Sequence, residues 1–377
     1  MRTTFVALVG LCAASLMVAC DDDKKTPATA PSASAAVSVA ATPSAAPAPK
    51  ASTSDVISKT LAAAVVAWNS HDPAKVAANY EPTGKVVIPG FPDTSGRDAI
   101  ATATKASFTA LPDFKVAVTR VFIHDHTAAF EWVFTGKNDG PNMGQKATGR
   151  PVGIAGASVV TFDDDGLMKE EHRYFDLPTE QSQLDPKAKA GTFRAPLPLP
   201  TAATETHVSK GTPDEAKTLE QGNAILKADA SKDDKALMAT VTDDYVWEDY
   251  SAPASIKTAD LKGVIATYAK AFPDFTLPTT LAFAVDGFFV AEASFVGTQK
   301  GPMGTIKASN KPVSSRMLDI QLLKDGKCSK EWSYSNGADM LIQIGAMPPI
   351  ASPPAAAASG SASPVAAATP TAAVKPK

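Results

Sequence analysis

Three side chains that give or take protons stand at alternate positions in mid-chain: His172, Tyr174 and Asp176. Alternate residues of a β-strand share a face, so an imidazole, a phenol and a carboxylate would point the same way. Such a set is able to move a proton. The register returns 160 residues later with altered chemistry, as Trp332, Tyr334 and Asn336. The carboxylate has become an amide, which cannot act as a base. Glu131 and Glu292 form a second matched pair, each inside an apolar run. They either line a pocket or stand on the outer face of a half-solvated sheet. Trp247 and Asp249 complete the pocket candidates, at positions where the first copy reads Val86-Val87-Ile88. Asp176 also has a plainer reading, as a strand-end carboxylate capping the turn at Leu177-Pro178.

The elements that position these groups occur twice. Leu111-Pro-Asp-Phe114 returns as Phe272-Pro-Asp-Phe275, Gly136 and Gly140 as Gly297 and Gly301, and Gln183 as Gln343. A period this long exceeds that of a solenoid and means two copies of one domain. Each copy opens with apolar residues spaced three and four apart, as in Val56, Ile57, Leu61, Val65 and Trp68, which predicts helices. Helices are expected over 55–68, 74–80 and 97–111, and again over 213–228, 233–240 and 259–272. The period then falls to two over 116–123, 128–135, 152–162 and 168–175, which predicts a meander of strands joined by Asp-Gly turns. Helices followed by antiparallel strands define an α+β class.

The ends are of another kind. Phe5 to Val18 is apolar behind Arg2, and Val18-Ala19-Cys20 precedes three aspartates. Small residues leading into a cysteine resemble the bacterial lipobox, which predicts a signal peptide over 1–20 and a lipid on Cys20. The chain would then be an exported lipoprotein, anchored to a membrane without spanning it. Residues 21–52 and 348–377 are Ala-, Pro- and Ser-rich and read as a tether and a tail. Residues 186–211 read as a linker between domains at 53–185 and 212–347. With Cys12 in the signal and Cys20 lipidated, Cys328 has no partner for a disulfide. Thirty-six basic and 39 acidic residues give a net charge of −3, which offers no case for nucleic acid. No phosphate loop, Ser-His-Asp order or paired-Cys motif is present, so no cofactor is expected. His124-Asp125-His126 has metal-ligand residue types but sits where a hairpin turn belongs, so no metal is expected either.

The ordered set of Trp68-Asn-Ser-His-Asp72, Pro-Asp-Phe, Phe134-Thr-Gly with its second glycine, Gly149-Arg-Pro-Val152, Tyr174-x-Asp176 and a final Gln183 resembles the SnoaL-like polyketide cyclase and ester cyclase family, within the nuclear-transport-factor-like superfamily. The resemblance implies a cone, a strongly curved antiparallel sheet wrapped around a pocket and closed by three helices. It also implies that Asp176, at the position of the family's general acid/base, would take a proton from a carbon flanked by carbonyls. Tyr174 would then hold the enolate and His172 would orient the carboxylate. Asn336 departs from that pattern, and so does Asp185, where a glycine is usual. Two functions follow as expectations. One is a membrane-tethered module binding a small apolar ligand or a partner in its cones. The other is a cyclase or isomerase run by Asp176. The resemblance further implies that the copies pair through their outer sheet faces, expected to carry Val116, Val118, Phe130 and Trp132 in one copy and Phe289, Ala291 and Phe295 in the other.

Overall fold

A computed structural model describes residues 52–350. The signal segment, Cys20, the tether and most of the tail lie outside the described residues.

The N-terminal domain runs α1 (Thr53–Asn69), α2 (Pro73–Ala78), β1 (Tyr80–Val87), β2 (Thr94–Ser95), α3 (Arg97–Ala110), β3 (Lys115–His124), β4 (Thr127–Lys137), β5 (Pro151–Phe162), β6 (Met168–Phe175) and α4 (Leu177–Leu184). Strand β7 (Glu205–Val208) follows, inside the segment expected to be linker. The C-terminal domain repeats the order as α5 (Pro213–Ala230), α6 (Asp234–Ala239), β8 (Val241–Asp249), β9 (Ile256–Lys257), α7 (Thr258–Ala271), β10 (Thr279–Val285), β11 (Phe288–Thr298), β12 (Pro312–Lys324), β13 (Lys327–Ser335) and α8 (Gly337–Ile344).

Local chemistry explains these elements. Ser52 caps α1 by accepting from Asp55 N at 3.2 Å, and Ile57 and Leu61, one turn apart, are buried. A full capping box, Thr212 with Glu215, starts α5. The hairpin turns place Asp125 and Asp286 at φ 50° and 48°, a left-handed conformation that aspartate tolerates. His124-Asp125-His126 is thus a turn, as its sequence suggests. The sheets order as β2-β1-β6-β5-β4-β3-β7 and β10-β11-β12-β13-β8-β9. In each, the strand after the second helix returns to pair in parallel with the last strand of the meander.

Much of the repeated motif is structural. The Pro-Asp-Phe carboxylates hold the end of the neighbouring strand, Asp113 accepting from Lys137 N at 2.7 Å and Asp274 from Thr298 N at 2.9 Å. Gly140 and Gly301 lie against the helix before them. A Cβ at either would sit 1.8 Å from the Thr109 carbonyl oxygen or 2.1 Å from that of Lys270, so no other residue fits. The final glutamines clasp a strand at both backbone atoms, Gln183 on Gly153 and Gln343 on Ser314.

Each sheet curls around its own apolar interior, one built on Phe114, Phe130, Trp132 and Phe134, the other on Trp247, Phe272, Phe289 and Phe295. A third apolar cluster joins the outer faces of the two sheets. It places Phe122, Ala129, Val133 and Val159 with Phe283, Val290, Leu318 and Ile320. The face expected for this contact was the opposite one. Phe130, Trp132, Phe289, Ala291 and Phe295 point into the cones, and Val116 and Val118 pack there too. The reason lies in the strands themselves. In β4 every residue from Ala128 to Phe134 is buried, so apolarity cannot tell one face from the other.

Candidate functional site

Most of the residues singled out from the sequence do come together, but between the domains rather than inside a cone. His172 and Tyr174 stand on the outer face of β6, and Trp332 and Tyr334 on that of β13. Tyr334 Oη donates to Glu131 Oε1 at 2.6 Å, and in the mirrored contact Tyr174 Oη donates to Glu292 Oε1. Glu131 is also held by Arg120, whose Nη2 donates to Oε1 at 2.7 Å. Glu292 is held by His172 Nδ1 at 2.6 Å, while His172 Nε2 lies 2.9 Å from Glu170 and 3.0 Å from Arg316 Nη1. Burial by itself would lower the His172 pKa, but the hydrogen bonds to Glu292 and Glu170 outweigh it and raise the value. Glu131, Glu292, Trp332 and Tyr334 are therefore joint residues, not lining of the cones.

Asp176 and Asn336 share this role. Asp176 is the N-cap of α4, accepting from Thr179 N at 2.9 Å and Thr179 Oγ1 at 2.6 Å, and it reaches across to Gly337 N of α8 at 2.9 Å. Asn336 is the N-cap of α8, and its Oδ1 accepts from Leu177 N of α4 at 3.2 Å. Each cap thus serves both helices. Burial raises the Asp176 pKa, while these donors pull it back. The plainer capping reading of Asp176 is the one the geometry realises, and His172 and Tyr174 are turned to Glu292 rather than to Asp176. Asp176→Ala is expected to cost about 2 kcal/mol, from the lost cap and the orphaned Gly337 N–H. Asp176→Asn should cost less, about 1 kcal/mol, because its Oδ1 keeps the Thr179 cap while its amide NH2 loses only the Gly337 N–H. Urea unfolding of both variants checks this, and an Asn variant as damaged as the Ala variant would refute it.

The cone interiors hold groups that were not singled out. In the N-terminal cone, Glu171 is fully matched. It accepts from Ser158 Oγ at 2.7 Å, from Arg173 through two bonds at 2.9 and 2.8 Å, and from Tyr80 Oη. These partners, Arg173 foremost, outweigh burial and lower its pKa. In the C-terminal cone the matching glutamate is Glu331, and the cation is gone, because Ser333 stands at the position of Arg173. Two acids have been added instead, Asp319 where the first copy has Ser158 and Asp229 where it has Trp68. All three carboxyls are buried, at 4 %, 1 % and 7 % exposure for Glu331, Asp319 and Asp229. Burial drives every one of their pKa values up, that of Glu331 to about 7, and for Asp229 and Asp319 the nearby Glu331 adds to the rise.

Unmatched oxygens mark where protons would sit. Glu331 Oε1 and Asp319 Oδ1 have no donor among the described residues, and neither has Gln321 Oε1 beside them. Asp319 and Glu331 stand on the adjacent strands β12 and β13, and each acts on the other's protonation. One proton held between the two carboxyls would satisfy an otherwise orphaned oxygen on each. Tyr245 Oη donates to Glu331 Oε2 at 2.6 Å, and Gln321 Nε2 donates to Asp319 Oδ2 at 2.9 Å. Trp247 and Asp249 belong to this inward face, Trp247 Nε1 donating to Ser333 Oγ at 2.6 Å and Asp249 accepting from Ser251 N at 2.9 Å. Among the described residues no group of His, Cys, Asp and Glu converges tightly enough to hold a metal ion. The sequence did carry the signal for this cluster. It was the exchange of Ser158, Arg173 and Trp68 for Asp319, Ser333 and Asp229 at fixed offset.

Fold and interior together define a tandem of α+β cones. Residues 61–171 match the SnoaL-like domain model and residues 224–344 the SnoaL-like polyketide cyclase model. The chain therefore carries two SnoaL-like domains in series. Among solved structures it is similar to TsrD from Streptomyces laurentii, at 19% identity over 34% of this chain and 95% of that one, with a TM-score of 0.32. It is similar to IdmH from Streptomyces antibioticus, a candidate polyketide cyclase, at 24% identity over 34% of this chain and 96% of that one, with a TM-score of 0.31. No curated protein matches the chain.

Proposed function

We propose that the C-terminal cone is the working site, an acid–base pocket for a small, mostly apolar molecule carrying a carbonyl oxygen, and that the N-terminal cone is its scaffold. The observation that carries this is the pair of buried carboxyls Asp319 and Glu331, each with an oxygen that has no donor among the described residues, in an interior where Ser333 replaces the cation. A neutral carboxyl there donates a hydrogen bond to a carbonyl oxygen, and its ionised partner accepts a proton from the adjacent carbon. That pairing suits an enolate-forming reaction of the cyclase or isomerase type. The Glu331 pKa, at about 7, suits a group that must both take and give a proton near neutrality. The N-terminal cone lacks this capacity, because Arg173 fixes Glu171 in its charged form.

The test uses the simple ketone cyclohexanone as probe. It is expected to shift backbone signals of the C-terminal cone and to exchange its acidic C–H for deuterium faster with the protein than without. Glu331→Gln and Asp319→Asn should each remove the acceleration. Exchange unchanged in both variants, or signals moving only in the N-terminal cone, would refute the assignment.

The site's setting is also a proposal. Lipid on Cys20 would tether the two cones to a membrane surface on the exported side, and among the described residues no helix is long and apolar enough to cross a bilayer. Cells fed labelled palmitate are expected to label the wild-type chain and not Cys20→Ser. Equal labelling of both, or of neither, would remove the anchor.

A further inference from the structure

The joint between the domains is built on a two-fold plan, yet its two halves differ. On one side Glu292 is surrounded by His172, Tyr174 and the long side chain of Arg316. On the other side Glu131 meets Trp332, Tyr334 and Arg120. Ala155 stands at the position of Arg316, and Arg120 at that of Leu281. The exchange of an arginine for an alanine leaves room. A cavity of about 310 Å3 opens there, lined by Thr119, Arg120, Ala155, Tyr250, Trp332 and Tyr334 among others. That is the lower end of the range for small-molecule pockets, about 300–1,000 Å3. One wall is the segment between the domains, at Ala202, Ala203 and Glu205.

Two polar groups of this cavity, on Arg120 and Tyr250, keep a donor that is not spent. Arg120 spends Nε and Nη2 on Glu131, and Nη1 has no hydrogen-bond partner among the described residues. The guanidinium carbon lies over Trp332, 3.6 Å from the ring centroid, which holds the group in place. Tyr250 Oη likewise has no partner among the described residues. Its ring is set by stacking on Tyr334 at 5.2 Å and by Arg194 at 4.9 Å. Burial, then the carboxylates Glu131 and Glu248, push the Tyr250 hydroxyl up to about 12, so at neutral pH it keeps its proton and has an O–H to donate. The cations nearby are already matched, Arg120 by Glu131 and Arg194 by Glu248, and Glu205 stands exposed at the rim. No net positive charge is left to hold an anion.

We propose that this interdomain cavity is a second ligand site, selective for a small planar aromatic compound with an uncharged carbonyl oxygen. The oxygen accepts from Arg120 Nη1 and Tyr250 Oη, and the ring lies among Tyr250, Tyr334 and Trp332. The site is independent of the C-terminal cone.

Benzamide serves as the probe, with toluene and benzoate as controls, followed by titration of amide and indole NMR signals on the two-domain chain. Benzamide is expected to shift the signals of Tyr250 and the Trp332 indole. Toluene, without an acceptor, and benzoate, with a charge to desolvate, should each bind at least about tenfold more weakly. Ala155→Met should fill the cavity and abolish binding. Tyr250→Phe, which removes only one hydroxyl, should weaken benzamide about fivefold and leave toluene unchanged. Toluene or benzoate binding as tightly as benzamide would overturn the proposal. Benzamide affinity unchanged in Tyr250→Phe would overturn it as well, whether or not Ala155→Met folds.

Discussion

Raising the pH from 5 to 8 is expected to destabilise the C-terminal domain by about 2–3 kcal/mol through Glu331, and Glu331→Gln should remove that part of the loss. The folded pKa of Glu331 is raised from 4.5 to about 7. A raised group contributes stability that is fully present below its unfolded value and is lost as the pH rises through the folded value. Here the window runs from about pH 4.5 to just above 7, and a shift of that size corresponds to about 3 kcal/mol. Asp229 and Asp319 are raised too, so they extend the loss to higher pH. His172 has the same sign, its contribution being present below 6.5 and lost as the pH rises through its raised value. Glu171 and Glu292 act oppositely, because their lowered pKa values give stability above about 4.5 that disappears in acid. The stability maximum should therefore fall near pH 5. Urea unfolding at both pH values, for wild type and Glu331→Gln, measures this. Equal wild-type stability at pH 5 and 8, or a Gln variant with the full slope, would refute it.

Glu131→Ala is expected to cost about 3–5 kcal/mol, the range for breaking one partner out of a buried ion pair. The substitution strands the Arg120 guanidinium and leaves the Tyr334 hydroxyl without its acceptor. Both groups lie between the domains, so the damage should appear as lost domain pairing. We propose that the pair behaves in solution as a dimer made from one chain, with the joining segment keeping the effective concentration near millimolar. With a protease site placed in 186–211, cut wild-type halves should stay together on a sizing column at micromolar concentration, while cut Glu131→Ala halves should separate. Tyr334→Phe removes only one hydroxyl and should cost about 1 kcal/mol. Wild-type halves that separate when cut would contradict the pairing. So would a Glu131→Ala chain as stable as wild type.

The sequence showed the repeat, the α+β class and the order of helices and strands, because each rests on local signals. Apolar spacing marks α1, Asp-Gly marks the hairpins, and the motif glycines mark close backbone approaches. It also showed which residues share a strand face, so His172 and Tyr174 were rightly grouped. What it withheld was which face looks inward. Strand β4 is buried on both sides, and Glu131 and Phe130 differ by a single residue in register. That parity decides whether Asp176 faces a substrate or a second domain, and the answer depends on a partner sheet more than a hundred residues away. Tyr80 and Tyr245 add a subtler case. They come from different positions of β1 and β8, since Tyr245 aligns with Gly84, yet both hydroxyls reach the same glutamate in their own cone. No spacing rule would have matched them.

A proton shared by Asp319 and Glu331 is what the assignment of the working cone requires. Infrared difference spectroscopy across a pH titration observes it directly, because a protonated carboxyl has its own carbonyl stretch. At pH 6, where a solvent-exposed acid is ionised, the wild-type protein should retain protonated-carboxyl absorption. Asp319→Asn and Glu331→Gln should each diminish it, and Glu171→Gln in the other cone should leave it unchanged. A wild-type spectrum at pH 6 with no protonated carboxyl, or one that neither cone-two substitution alters, would contradict the account.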